Sequence, residues 1–118
     1  MYSYAGKFSH NHRTYADNEL FTVTFPTTIA RGNTVIVVFQ WTERADGTKK
    51  VNDIKIGSLT NAETDSDGKI HVKFLDDEYY KYSGVVSPNK QQLKLDMTNT
   101  SNESVGKPDL QLVHSLGA

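Results

Sequence analysis

From Gln92 to Thr98 apolar and polar residues alternate without a break. Leu93, Leu95 and Met97 lie on one side; Lys94, Asp96 and Thr98 lie on the other. A period of two is the repeat of a β-strand, so the stretch specifies a strand with one dry face and one wet face. Upstream, Tyr79 to Val86 reads as its partner, and Ser87-Pro88-Asn89-Lys90 reads as the turn between them. Pro88 presets φ at the first central turn position, and Asn89 tolerates the geometry of the next.

The same pattern recurs along the chain. Tyr2 to Phe8 places Tyr2, Tyr4 and Phe8 at even spacing. In Leu20 to Phe25, Phe21, Val23 and Phe25 face one way and two threonines the other, and Pro26 ends the strand. Thr34 to Thr42 is apolar on both faces: Val35, Val37, Phe39 and Trp41 against Ile36 and Val38. Such a strand is central, or is covered on its second face. Its β-branched content argues against a helix.

Asp46-Gly47 signals a hairpin into Val51 to Leu59, where Ile54 and Ile56 are expected to point inward and Gly57 to mark a bulge or a close approach. Asp67-Gly68 signals a second hairpin into Lys69 to Leu75, with Ile70, Val72 and Phe74 inward. Asn99 to Pro108 is polar and flexible in composition, and Asp109 to His114 is a last strand. A faint repeat, Y-x-Y-x-G, occurs at Tyr2 to Gly6 and again at Tyr80 to Gly84, with Ile56-Gly57 as a weaker echo. It reads either as a recurring kinked strand or as pseudo-symmetry with equivalent loops.

With no helical period, 118 residues and about eight short strands, the expectation is one all-β domain over residues 1–118. The inward positions hold bulky apolar residues and no polar one before His114, which favours a filled interior. The expected architecture is therefore an antiparallel two-sheet sandwich or jelly roll, with a closed up-and-down β-barrel as the alternative.

Composition narrows the function classes. The net charge is −1 and the lysines are interleaved with acids, so no basic footprint for nucleic acid is present. No apolar run is long enough for a membrane-spanning helix, and no signal peptide is visible. A cytoplasmic location is the default, and a secreted mature chain is compatible with it. There is no cysteine, hence no disulfide frame and no thiolate metal site. No G-x-S-x-G elbow or nucleophile–base pair is visible, so no enzyme is expected.

The remaining signals are aromatic and polar. Tyrosine rings can cover the C–H face of a sugar while loop side chains meet its hydroxyls. The expected activity is non-enzymatic binding of a carbohydrate or glycoprotein, lectin-like, through Tyr79, Tyr82, Trp41, Asn89, His10 and His12. A calyx for a small apolar ligand and a protein–protein module using Ile36, Val38 and Leu75 are the alternatives. A homodimer through sheet edges or faces fits either binding mode. No organic cofactor is expected. Asp65-Ser66-Asp67-Gly68 resembles part of a calcium loop without its distal glutamate, and Asp65, Asp67, Asp76 and Asp77 are the candidates for a shared Ca²⁺ site.

Overall fold

The computed structural model describes residues 1–8, 19–40 and 52–116. Their strands are β1 (Tyr2–Phe8), β2 (Glu19–Phe25), β3 (Thr34–Gln40), β4 (Asn52–Thr64), β5 (Ile70–Leu75), β6 (Lys81–Val86), β7 (Gln92–Thr98), β8 (Ser104–Gly106) and β9 (Asp109–Ser115). β1 to β7 form an antiparallel meander. β9 then returns between β7 and β1, antiparallel to both, and closes the ring. β8 is a short appendage on the end of β7.

The molecule is thus a closed eight-strand antiparallel barrel, not the two-sheet sandwich that the filled interior favoured. Alternation alone generates either architecture. The insertion of β9 between β7 and β1 makes the difference, because it leaves neither of those strands as an open edge.

The lumen is packed. Phe21, Val23, Phe25, Val35, Val37, Phe39, Val72, Phe74, Leu93, Leu95, Met97 and Leu110 are buried as the alternation required. Tyr4, Leu59, Tyr82, Val86 and Val105 join them. Burying each such side chain contributes on the order of 1.5–3 kcal/mol. An aromatic series runs along the lumen. Tyr4 meets Phe25 edge-on at 6.1 Å, Phe25 meets Phe74 edge-on at 6.4 Å, and Phe74 stacks on Tyr82 at 4.5 Å.

β4 corrects the sequence reading most. Ile54 and Ile56 point outward, 61% and 55% exposed, and Lys55 points inward. Gly57 fixes this phase. It pairs with Val35 across β3, and a Cβ there would lie 1.8 Å from the Leu75 carbonyl oxygen. Only a residue without a side chain fits where β5 crosses so closely. Asp53, Lys55, Gly57 and Leu59 therefore share the inner face. A register shift between Leu59 and Asn61 then lets β4 run on to Thr64.

Gly84 and Gly6 do the same for their strands, with the Lys94 and Asp109 carbonyls 2.2 and 2.9 Å from a built Cβ. This gives the Y-x-Y-x-G repeat a structural meaning. In each copy the second tyrosine is buried and the glycine lets the neighbouring strand curve in. The tyrosine hydroxyls reach opposite ends of the barrel. Tyr4 donates to the Lys90 carbonyl at 3.0 Å, and Tyr82 donates to Asp76 Oδ2 at 2.7 Å.

The segment expected to be flexible, 99–108, is built: it holds β8 and a hydrogen-bonded turn, and buries Val105. The Asp46-Gly47 hairpin signal and the core assignment of Trp41 fall outside the described residues.

Candidate functional site

One kind of turn is used four times. In Asp65–Lys69, Asp76–Tyr80, Ser87–Gln91 and Asn99–Glu103 the fourth residue donates its N–H to the carbonyl of the first, at 2.8–3.1 Å. The side-chain oxygen of the first residue accepts N–H bonds from further along the turn: Asp65 Oδ1 from Asp67 and Lys69, Asp76 Oδ1 from Glu78 and Tyr80, Ser87 Oγ from Gln91 and Gln92, Asn99 Oδ1 from Ser101 and Glu103. Asp, Ser and Asn start these turns because a short polar side chain can reach its own backbone two residues on. The fourth residue is left-handed in each: Gly68 at φ 84°, Tyr79 at 64°, Lys90 at 60° and Asn102 at 62°. Glycine and asparagine take that conformation readily. Tyrosine does not, and Tyr79 is 70% exposed at the tip of its turn.

Tyr79 sits at the end of the barrel where β5 meets β6 and β7 leaves for β8. The inner face there is polar. Lys55 is 5% exposed, with Nζ 2.7 Å from Glu78 Oε2 and 3.6 Å from Asp53 Oδ2. It also lies 5.8 Å from the centre of the Tyr80 ring. Burial pulls the lysine's pKa down, but the bond to Glu78 and the charges of Asp53, Glu78 and Asp76 outweigh it, so the net shift is upward and the ammonium is kept.

Asp76, 4% exposed, is held by the Tyr82 hydroxyl and two backbone N–H groups. Burial, then the Asp76 charge, pushes the Tyr82 hydroxyl's pKa upward. Three carboxylates thus surround one ammonium, and the mouth is negative. Beside it, Lys81 Nζ donates to Asn102 Oδ1 at 2.7 Å, tying the start of β6 to the polar 99–103 turn. Just below the rim, a cleft of about 370 Å³ opens on the outer wall between Lys73, Lys81, Ser83, Asp96 and Thr98.

The residues expected at a site are not brought together. Tyr79 is on the rim. Tyr82 is beneath it, 1% exposed, and serves as an internal prop rather than a surface platform. Asn89 is in the turn at the opposite end, where its Oδ1 accepts from the Ser87 hydroxyl and the Gln91 N–H. His10, His12 and Trp41 lie outside the described residues.

Asp65 and Asp67 are separated from Asp76 and Asp77 by the whole of β5, roughly 20 Å at strand rise, so the four do not form one cation site. Among the described residues no group of three or more His, Asp or Glu is placed to hold a metal. Asp65 instead pairs with His71, Oδ2 to Nε2 at 2.8 Å.

Sequence reasoning missed Lys55 and Asp53 as inward groups, and Glu78 and Asn102 as rim groups. The spacing Asp53, Lys55, Gly57, Leu59 was the signal, masked by Ile54 and Ile56 in the other phase.

Among the described residues, fold and site together define a closed antiparallel β-barrel with an aromatic lumen and a negatively charged mouth. Comparison with known proteins adds no family to that description: no family model, no curated protein and no solved structure matches this chain.

Proposed function

We propose that the protein is a non-enzymatic binding module that takes a carbohydrate, free or on a glycoprotein, at the rim of the barrel mouth. The observation that carries the reading is Tyr79, a large aromatic ring held in solvent on a left-handed backbone. Such a conformation costs about 1–2 kcal/mol for a residue with a side chain. Strain of this kind clusters where a side chain must be presented to something.

The chemistry around the ring suits a sugar. The ring face covers C–H groups, the exposed carboxylates of Asp77 and Glu78 accept hydroxyl hydrogens, and Asn102, bonded to Lys81, adds an amide on the neighbouring turn. The alternative of an apolar ligand in the lumen has less support, because Tyr4, Phe25, Phe74 and Tyr82 occupy that space.

The test is a glycan array, with and without calcium, followed by titration of any ligand against the wild type and Tyr79→Ala. Binding that is lost in the variant supports the proposal. An array without signal, or affinity indifferent to Tyr79, removes it.

A further inference from the structure

Four lysines that are scattered along the sequence come together on one wall of the barrel. The outer faces of β5, β6 and β7 lie side by side, and their register sets the levels. Lys81 stands beside Leu75 and Thr98. One step down the wall, Lys73 and Asp96 flank Ser83; one step further, His71 and Lys94 flank Val85. Lys69 comes last, two residues before His71. Each step is two strand residues, about 7 Å, so four exposed ammonium groups follow one another over roughly 20 Å.

The wall between them is grooved. Ser83 and Val85 on β6 are short, and the longer side chains of β5 and β7 rise on either side. The cleft below the rim shares Ser83 and Asp96 with a second, of about 380 Å³. That one shares Val85 and Lys94 with a third, of about 370 Å³, which ends at Pro88. Together they make one trough along β6. Among the described residues the ammonium groups of Lys69, Lys73 and Lys94 have no partner, and Lys81 has Asn102. Of the acids in the trough, Asp65 is taken up by His71 and by its own turn, which leaves Asp96. Glu63 lies outside it, on β4 across from His71. The trough is thus positive, although the mouth above it is negative.

We propose that the trough binds an acidic oligosaccharide, a sugar chain carrying carboxylate or sulfate groups. The inference rests on the reading of Tyr79 as a sugar platform and names the class of sugar. Charge complementarity calls for a linear anion. The wall itself separates the kinds of anionic chain. An acidic peptide binds a sheet most readily as an added strand, but β5, β6 and β7 are paired on both sides and have no free edge here. A single-stranded nucleic acid needs aromatic faces for its bases, and the rings that border the trough, Phe74 and Tyr82, are buried. A sugar chain uses what the trough presents. Its acid groups meet the lysines, and its hydroxyls meet Ser83, Asp96, Thr98 and Gln92.

Titration calorimetry at low salt tests this with oligogalacturonate, a heparin fragment and neutral maltooctaose. The first two separate a carboxylate from a sulfate ligand. At least one of them is expected to bind, and more tightly than the neutral sugar. Lys73→Gln combined with Lys94→Gln should weaken that ligand by about tenfold or more, and added salt should weaken the wild type more than the variant. Both lysines are exposed and unpartnered among the described residues, so an unchanged circular dichroism spectrum and melting temperature establish that the variant is folded.

Failure of the trough is distinct from failure of the platform. Acidic sugar lost in the double variant but indifferent to Tyr79→Ala upholds the trough and removes the platform. Neutral sugar bound as tightly as the acidic ones, and sensitive to Tyr79→Ala alone, overturns the trough and upholds the platform. Neither acidic sugar binding, or binding indifferent to the two lysines, overturns the trough. So does oligothymidylate or a polyglutamate peptide that binds more tightly than both acidic sugars.

Discussion

Replacing Tyr79 by glycine and by alanine separates the backbone at that position from the ring. At φ 64° any residue with a Cβ is strained by about 1–2 kcal/mol, which glycine relieves and alanine does not. Glycine loses about 0.4–1 kcal/mol in return, through the larger entropy of its unfolded chain. Both variants lose the buried part of the ring. With 70% of the residue exposed, that part is roughly 60 Å², worth at most about 1.5 kcal/mol.

Tyr79→Gly is therefore expected to lie within about 1 kcal/mol of the wild type, and Tyr79→Ala about 1 kcal/mol below Tyr79→Gly. Inside a strand or helix the order is normally the reverse. Urea unfolding followed by far-ultraviolet circular dichroism reads the difference, and under the proposed function both variants lose ligand binding. Alanine as stable as glycine would refute the left-handed assignment. A glycine variant that still binds would refute the role of the ring.

Three further outcomes follow from the geometry. Gly57→Ala puts a Cβ 1.8 Å from a carbonyl oxygen that belongs to the backbone and cannot rotate away, so it is expected to destabilise by roughly 3 kcal/mol or more in the same urea assay. Tyr82 has a raised pKa in the folded barrel, so its contribution is full below about pH 10, where the unfolded tyrosine begins to ionise, and falls as pH rises further. Tyr82→Phe should flatten the decline of stability above pH 10 by about 1.4 kcal/mol per pH unit. The Asp65 carboxyl is held below its ordinary value by the His71 hydrogen bond first, against the opposing effect of desolvation, and then by the Asp67 and Lys69 N–H groups. His71→Ala should raise its midpoint in an NMR titration, and an unmoved midpoint would assign the shift to the backbone alone.

The strands themselves were largely legible. β1 and β7 were read within a residue of where they lie, and β2, β3, β5 and β9 within two, because each is long enough for period two to override anything else. Phase was harder. In β4 two isoleucines outvoted one lysine, and the deciding constraint, the nearness of the Leu75 backbone to Gly57, is a contact between strands that no single segment encodes. The short β8 carries no alternation to detect. Closure was equally hidden, because nothing in Asp109 to His114 says which strands will flank it. The rim was half visible. Tyr79 stood out as a candidate sugar-binding aromatic, but Glu78 and Asn102 gain meaning only through the turns that bring them together.

The pairing of Ser3 with His114 has a kinetic consequence. Every other junction in the ring, the link from β9 to β7 included, joins pieces that are near one another along the chain. Bringing β9 against β1 spans nearly the full length, so this step is expected to come late and slowly. Until it happens, β1 and β9 each present a row of unsatisfied amides to any other molecule. Refolding yield should therefore fall with protein concentration, even though the finished ring has no such rows to offer.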